Sequence, residues 1–430
     1  MKEDFLHYVW LHQYFDKQQL ICSTGEAIQV IRTGLLNTNA GPDFLDAQVK
    51  IGQETWNGSV EVHLKASDWL RHQHQTDPRY DQVVLHVVWE DDQPLRRTDG
   101  SFIPTIALQE RVQLNLLENY LNLKKEKPTI PCSPFINQVP GLPVMQMLDR
   151  VLIERLEQKA RRITDLLQRN TQDWEETTYQ ALVSNFGFKI NQVPFLQLSQ
   201  LLPFAIIRKH SGQLWQLEAL LYGQAGFLQD VPAEDDYLQK LQQEYIYLWH
   251  KYKLTAGMPV AAWNFLRLRP ANFPTVRLAQ LAALLQDKNH LFSLLLTLPD
   301  LPAYLRFLGS EVSPYWQKHY MPGRESKTLA LEMGQESKIN LLINTVVPLL
   351  FAFGRYHDKQ ELIDKAIALL ESLHAEKNNI TRIYTGLGLK NKAAADSQAY
   401  IQLNHSYCEP RHCLYCSVGH YILRTKLASP

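Results

Sequence analysis

The pattern of apolar and polar positions changes near residue 130. Before that point apolar residues come in short alternating runs: Ile28-Gln29-Val30-Ile31, Ala47-Gln48-Val49-Lys50-Ile51, residues 58–64 and residues 83–89. Such runs predict strands, and Ala40-Gly41-Pro42-Asp43, Ile51-Gly52 and Asp99-Gly100 supply turns between them. One helix, Asp4 to Phe15, is predicted ahead of the strands. Lys124-Lys125-Glu126-Lys127-Pro128 then reads as a solvated linker, continued by a proline-rich stretch to Pro143. Beyond it, Met147, Leu148, Val151, Leu152, Leu156, Ile163 and Leu167 recur at steps of three and four, the spacing of an amphipathic helix. Further helices are predicted over 177–185, 195–202, 213–222, 237–251, 276–286, 337–353 and 360–375. The pattern predicts an α+β multidomain chain: a mixed α/β sheet domain over 1–123, a linker over 124–143, a large all-α domain over 144–400 and a cysteine-rich tail over 401–430.

Composition narrows the class. The 430 residues are 45% hydrophobic and 10% aromatic, which excludes a disordered chain. Five cysteines at this length exclude a disulfide scaffold and lead us to expect a reducing, cytoplasmic setting. Charges in Met1-Lys2-Glu3-Asp4-Phe5 occupy the place of an export signal's apolar core. The longest apolar run, Leu341 to Gly354, contains Asn344, Thr345 and Pro348 and falls short of the ~20 residues of a span, so no membrane partner is expected. Basic and acidic residues balance at 44 each, yet residues 1–130 carry 13 against 18, a net −5, and the remainder carries +5. Ordinary scatter accounts for so small an asymmetry. A basic second domain would also steer an anionic polymer toward an acidic site.

The chemistry concentrates on two short segments, Gly41-Pro42-Asp43-Phe44 and Gly58-Ser59-Val60-Glu61-Val62-His63-Leu64-Lys65. Alternation along a strand puts Ser59, Glu61, His63 and Lys65 on one face and Val60, Val62 and Leu64 on the other. If the two segments form a hairpin, the Asp43 carboxylate approaches that of Glu61. Paired carboxylates suit a hard divalent cation, Mg²⁺ or Mn²⁺, which acidifies a water and neutralises a phosphoryl oxygen; His63 or Lys65 would handle the water. The alternative is a polar strand face turned to solvent. His72 and His74, with His63 and His86, form a histidine set that would suit zinc in a zinc-dependent hydrolase.

Pro42-Asp43 and Glu61, in the order helix, strand, PD, strand, acid-bearing strand, resemble the PD-(D/E)xK nuclease-like superfamily. The resemblance implies a restriction-endonuclease-like sheet domain, metal-dependent hydrolysis of phosphodiester bonds, DNA or RNA as partner, and a site of Asp43, Glu61, His63 and Lys65. The chain departs from the pattern at the lysine, where His63 stands and Lys65 follows two residues on. A non-catalytic binding or scaffold protein with a degenerate nuclease fold is the rival. Over nearly its whole length the chain also resembles an uncharacterised bacterial family, through the Gly41–Phe44, Val60–His63 and Asp68–His74 segments, Arg269-Pro270-Ala271-Asn272-Phe273-Pro274 and the terminal cysteines.

Cys408, Cys413 and Cys416 lie within nine residues. Thiolates at such spacing wrap a soft or borderline metal, and Cys132 is the remote fourth ligand, with His405, His412 and His420 as local alternatives. Zinc is the leading expectation. An iron–sulfur cluster, held in some nucleases of that superfamily by one distant and three C-terminal cysteines, is the other, and a Cys413-x2-Cys416 redox dithiol is the third. The arginines of 267–277 read as helix-flanking ion pairs. No Walker motif, dinucleotide fingerprint, nucleophile elbow or HExxH occurs.

Overall fold

The computed structural model describes residues 1–97, 99–326 and 332–426; the last four residues of the predicted tail lie outside them. The chain divides into two units, residues 1–149 with 403–430, and residues 150–402. The predicted tail therefore belongs with the sheet unit. So does the predicted linker, of which Lys125–Thr129 is the longest continuously exposed run.

The first unit opens with helix α1 (Glu3–Leu11), whose Phe5, Leu6, Val9 and Trp10 are fully buried. The helix ends four residues before the predicted Phe15. A six-stranded sheet follows: β1 (Ile28–Arg32), β2 (Leu35–Leu36), β3 (Phe44–Ile51), β4 (Glu54–Lys65), β5 (Val83–Glu90) and β6 (Thr105–Ala107). Its order is β1-β3-β4-β5-β6, with β2 also pairing β3. β1, β3 and β4 form an antiparallel meander, while β4, β5 and β6 run parallel. Parallel strands need a crossover, and residues 66–82 between β4 and β5 supply one, containing the short helix α2 (Asp68–Arg71). β5 is buried along six consecutive residues, Val83–Val88, as a strand covered on both faces must be. Gly58 permits the close approach of β4 and β5, since a Cβ there would stand 2.5 Å from the Gln82 carbonyl.

The register of β3 against β4 decides the site. Over most of the hairpin Ala47 faces Gly58 and Ile51 faces Glu54, yet Phe44 faces Val60, a shift of one residue. Leu45 and Asp46 bulge opposite Ser59, and Asp46 takes φ +56°. Without the bulge Asp43 would align with Val62 on the apolar face. With it, Asp43 aligns with Glu61 on the other face. The unit is completed by α3 (Leu114–Lys124) and, from the C-terminal segment, α18 (Ser417–Arg424), which is tied to α3 by Asn119 Nδ2 donating to the Ile422 carbonyl at 2.9 Å.

Between them α4 (Gly141–Arg169) carries the chain from the first unit into the second. The second unit continues through α5 (Trp174–Phe186), α6 (Gln192–Leu201), α7 (Phe204–Ile207), α8 (Leu214–Gln224) and α9 (Asp236–Tyr252). It then adds α10 (Pro274–Leu285), α11 (Leu291–Thr297), α12 (Leu301–Phe307), α13 (Gln335–Leu341), α14 (Val347–Tyr356), α15 (Gln360–Ser372), α16 (Asn379–Gly386) and α17 (Ala394–Leu403). One correction to the all-α expectation is a small hairpin, His319–Met321 with Arg324–Glu325. The predicted long helices are present, whereas α7, α11 and α12, at four to seven residues, are too short to show a helical period. α13 and α14 join through a π-helical turn, Leu342–Val346, giving one helix over Gln335–Tyr356. It is long and apolar enough to cross a membrane, unlike the shorter apolar run inside it, but 72% of its apolar window is buried within the protein.

Candidate functional site

The polar face of β4 is buried, with Glu61 4% and His63 2% exposed; it is not a solvent-facing strand edge. Four segments supply polar groups to it. The β3–β4 register brings Asp43 and Glu61 together reciprocally: the Asp43 backbone N–H donates to Glu61 Oε2 at 3.1 Å, and the Val62 N–H donates to Asp43 Oδ2 at 3.0 Å. The parallel register sets His86 of β5 beside Glu61, and its Nε2 lies 2.8 Å from His63 Nδ1. The crossover returns His72 and His74, whose rings pack against His63 at centroid distances of 5.0 and 5.3 Å. His74 is held by stacking on Tyr80 at 3.8 Å and edge-on to Trp69.

The nitrogen atoms converge. His63 Nε2 is 3.1 Å from His72 Nδ1, and one ligand atom from each of His63, His72 and His74 lies within 4.8 Å of the others. Glu61 Oε1 stands 3.2 Å from His74 Nε2 and 3.4 Å from His63 Nε2. Two nitrogens bound tetrahedrally to one ion at ~2.0–2.1 Å are separated by about 3.3 Å, close to the His63–His72 spacing. His74 Nε2 is buried with no hydrogen-bond partner, despite its closeness to Glu61. His63 holds its ring between His86 and His72, and His72 is exposed, so the site opens to solvent on that side.

The electrostatics suit ligands that must offer lone pairs. Burial first, then His86 and His74, pushes the His63 pKa down to about 2, and burial pushes His86 down to about 3. Both rings are therefore neutral at neutral pH. Burial raises the Glu61 carboxyl above its ordinary value, against the pull of His74 and with the Asp43 charge adding to the rise. His7 is opposed by its own burial but is raised on balance by Asp43, whose Oδ2 lies 3.1 Å from His7 Nε2.

His7 was not legible as a site residue, nor was Glu3, whose carboxyl is raised by burial and then by Asp43. Their signal was the i, i+4 spacing of two polar residues that share one side of α1. Lys65 departs from the cluster: it is 53% exposed and its Nζ pairs with Glu90 of β5 at 3.3 Å. Ser59 is buried, its N–H donating to the Gln82 carbonyl at 2.9 Å.

A second cluster in the same unit gathers four cysteines, Cys132, Cys408, Cys413 and Cys416. The Cys132 thiol is raised well above its ordinary pKa by burial and then by Cys408, Cys416 and Cys413, so all three C-terminal thiols stand near it. Burial, with Cys416 next, pushes Cys413 up to about 12. Arg411 fastens the segment by donating to the Leu123, Glu126 and Pro128 carbonyls.

No curated protein and no solved structure matches the chain. A family model described as "Protein of unknown function (DUF2851)" matches residues 3–379, which covers every residue of the histidine–carboxylate site and stops short of the three C-terminal cysteines, and the chain belongs to that family.

Proposed function

We propose that the protein is a metal-dependent hydrolase acting on the phosphodiester bonds of nucleic acid, DNA or RNA, at the end of β4. The observation that carries this reading is the convergence of the His63, His72 and His74 imidazoles beside the Glu61 carboxyl group, with His72 open to solvent. His63, His72 and His74 would hold the ion, which when bound would polarise a water and a phosphoryl oxygen. Nitrogen donors favour Mn²⁺ or Zn²⁺ over Mg²⁺. Glu61, whose carboxyl is raised above its ordinary value by burial, would accept a proton from the attacking water. Asp43 locks the two strands in register and orients His7. His86 fixes the His63 ring through Nδ1. Support for the phosphodiester class comes from the Pro42-Asp43 and Glu61 pattern on neighbouring strands of a mixed sheet behind a helix.

The test is cleavage of single- and double-stranded DNA and RNA with Mn²⁺, Zn²⁺ or Mg²⁺, wild type beside Glu61→Ala and His74→Ala. Cleavage with Mn²⁺ or Zn²⁺ that both variants lose is the expected result. Cleavage unchanged in both would overturn it. The pairing of Lys65 with Glu90 favours a second reading, a metal-binding scaffold without hydrolysis; it predicts metal retention by the wild type, loss of it in His74→Ala, and no cleavage in either.

The four cysteines are read as a thiolate metal site that ties the C-terminal segment to the sheet unit, with zinc ahead of an iron–sulfur cluster. Elemental analysis of the purified protein distinguishes them: one zinc per chain without visible colour for the first, iron with sulfide-to-iron absorption for the second. Neither metal present would sink the assignment. The cytoplasmic setting belongs with this reading, since reduced thiols are its ligands.

A further inference from the structure

We propose that the helical unit carries a phosphate-binding cleft, on one face of α4 beside the π-helical turn, that takes the phosphate groups of a nucleotide or of a nucleic-acid strand. The inference stands apart from the hydrolase reading, because every lining residue belongs to the second unit.

Arg155, Lys159, Arg162 and Arg169 recur along α4 at steps of four, three and seven, the spacing of one helix face. They line a cleft of about 880 Å³, into which Lys189 also projects. Asp165 is the one acidic residue among its described lining residues. Among the described residues Arg162, Arg169 and Lys189 have no ion-pair partner. Lys159 gives its ammonium donors to neutral acceptors: the Ile343 carbonyl at 3.2 Å, Asn344 Oδ1 at 3.0 Å and Gln398 Oε1 at 2.8 Å. Arg155 shares Gln398 Oε1 at 2.5 Å. Glu376, which bonds Gln398 from the far side, is the acid whose charge reaches both cations.

The π turn at Leu342–Val346 explains how the floor is made. A π turn interrupts the regular i→i+4 ladder and frees carbonyls for other donors; here Ile343 O accepts from Lys159 and Asn344 O from Asn185 Nδ2 at 3.2 Å.

A second, independent feature adjoins it. A cavity of about 420 Å³ shares Phe188, Lys189 and Asn340 with the cleft and holds Arg277. Arg277 is only 4% exposed, and its guanidinium lies 4.4 Å from the Phe188 ring, a residue with φ +48°. It donates to Gln280, Asn272 and Ser337, all neutral, and its Nε has no partner. A buried guanidinium N–H without an acceptor, beside several unpaired cations, is what a phosphate oxygen would satisfy.

The experiment is equilibrium binding of a fluorescein-labelled single-stranded oligothymidylate to the full chain at several salt concentrations without added metal, with ADP and inorganic pyrophosphate as competitors. The variants are the triple charge reversal Arg162→Glu, Arg169→Glu, Lys189→Glu, the milder Arg162→Ala, and the control Arg161→Glu, an exposed residue of α4 outside the cleft. The triple variant should weaken binding at least about tenfold and flatten the logarithmic salt slope by about 2, and Arg162→Ala should move both in the same direction. Displacement by ADP or pyrophosphate would identify a nucleotide site, and resistance to both a strand site. If neither the oligonucleotide nor either small anion binds at low salt, or if Arg161→Glu weakens binding as much as the triple variant, the cleft is not a phosphate site.

Discussion

Each unit buries a carboxyl group whose pKa is raised, and the two are opposites in everything else. Glu61 of the sheet unit stands beside the His63 and His74 imidazoles and feels the charge of a second carboxylate, Asp43. Glu218 of the helical unit, 1% exposed, is pushed by burial up to about 7 and meets hydroxyl groups, with Tyr237 donating to Oε2 at 2.5 Å and Oε1 unpartnered. A raised pKa by itself therefore does not mark a site. The neighbours decide: lone-pair donors gathered around Glu61 have a use for a cation, while around Glu218 nothing does, and its charge is simply a cost to the fold.

Substitutions separate the two. Glu61→Ala should lower metal-dependent cleavage by at least about a hundredfold, read as initial rate at saturating Mn²⁺, and an equal rate in the variant would break the contrast. Glu218→Gln should do the reverse and stabilise. The unfolded carboxyl loses its proton near 4.5 and the folded one near 7, so the folded state binds more protons between those values and stability falls as pH rises through them. The amide should recover roughly 3 kcal/mol above pH 7, and the gain should vanish by about pH 4.5; chemical denaturation at the two pH values measures it. His86→Gln should weaken metal binding about tenfold to a hundredfold by releasing the His63 ring, seen by calorimetric titration with Zn²⁺. Smallest is Lys65→Ala, which removes an exposed pair with Glu90 and should alter stability by less than about 1 kcal/mol and leave cleavage intact; a large loss of rate would return Lys65 to the site.

Much of this site was readable in the chain. The alternation Ser59, Glu61, His63 identified the face, because a strand has a fixed period of two. The approach of Asp43 to Glu61 was conditional on a hairpin, and the sequence carries no marker for the bulge at Leu45 and Asp46 that sets its phase. His72 and His74 read from the sequence as metal-capable ligands, but the convergence of their nitrogens follows from Trp69 and Tyr80 anchoring the crossover, a tertiary effect. Glu3 and His7 were hidden since a polar pair on an N-terminal helix looks like solvent exposure. Spacing alone points to Lys65, and Glu90, one strand away, draws it off. In the helical unit the long amphipathic helices declared themselves, while the short ones were fixed only by packing.

The order of the chain imposes a timetable on the sheet unit. Its two pieces, 1–149 and 403–430, are separated by the whole helical unit. At synthesis rates of ~5–20 residues per second, Cys132 leaves the ribosome roughly 15–55 s before Cys408, Cys413 and Cys416 exist. Throughout that interval the histidine–carboxylate residues, all within 3–86, are already complete, whereas the cysteine cluster has a single thiol. The two ligand sets are therefore completed in sequence, the histidines first and the cysteines last.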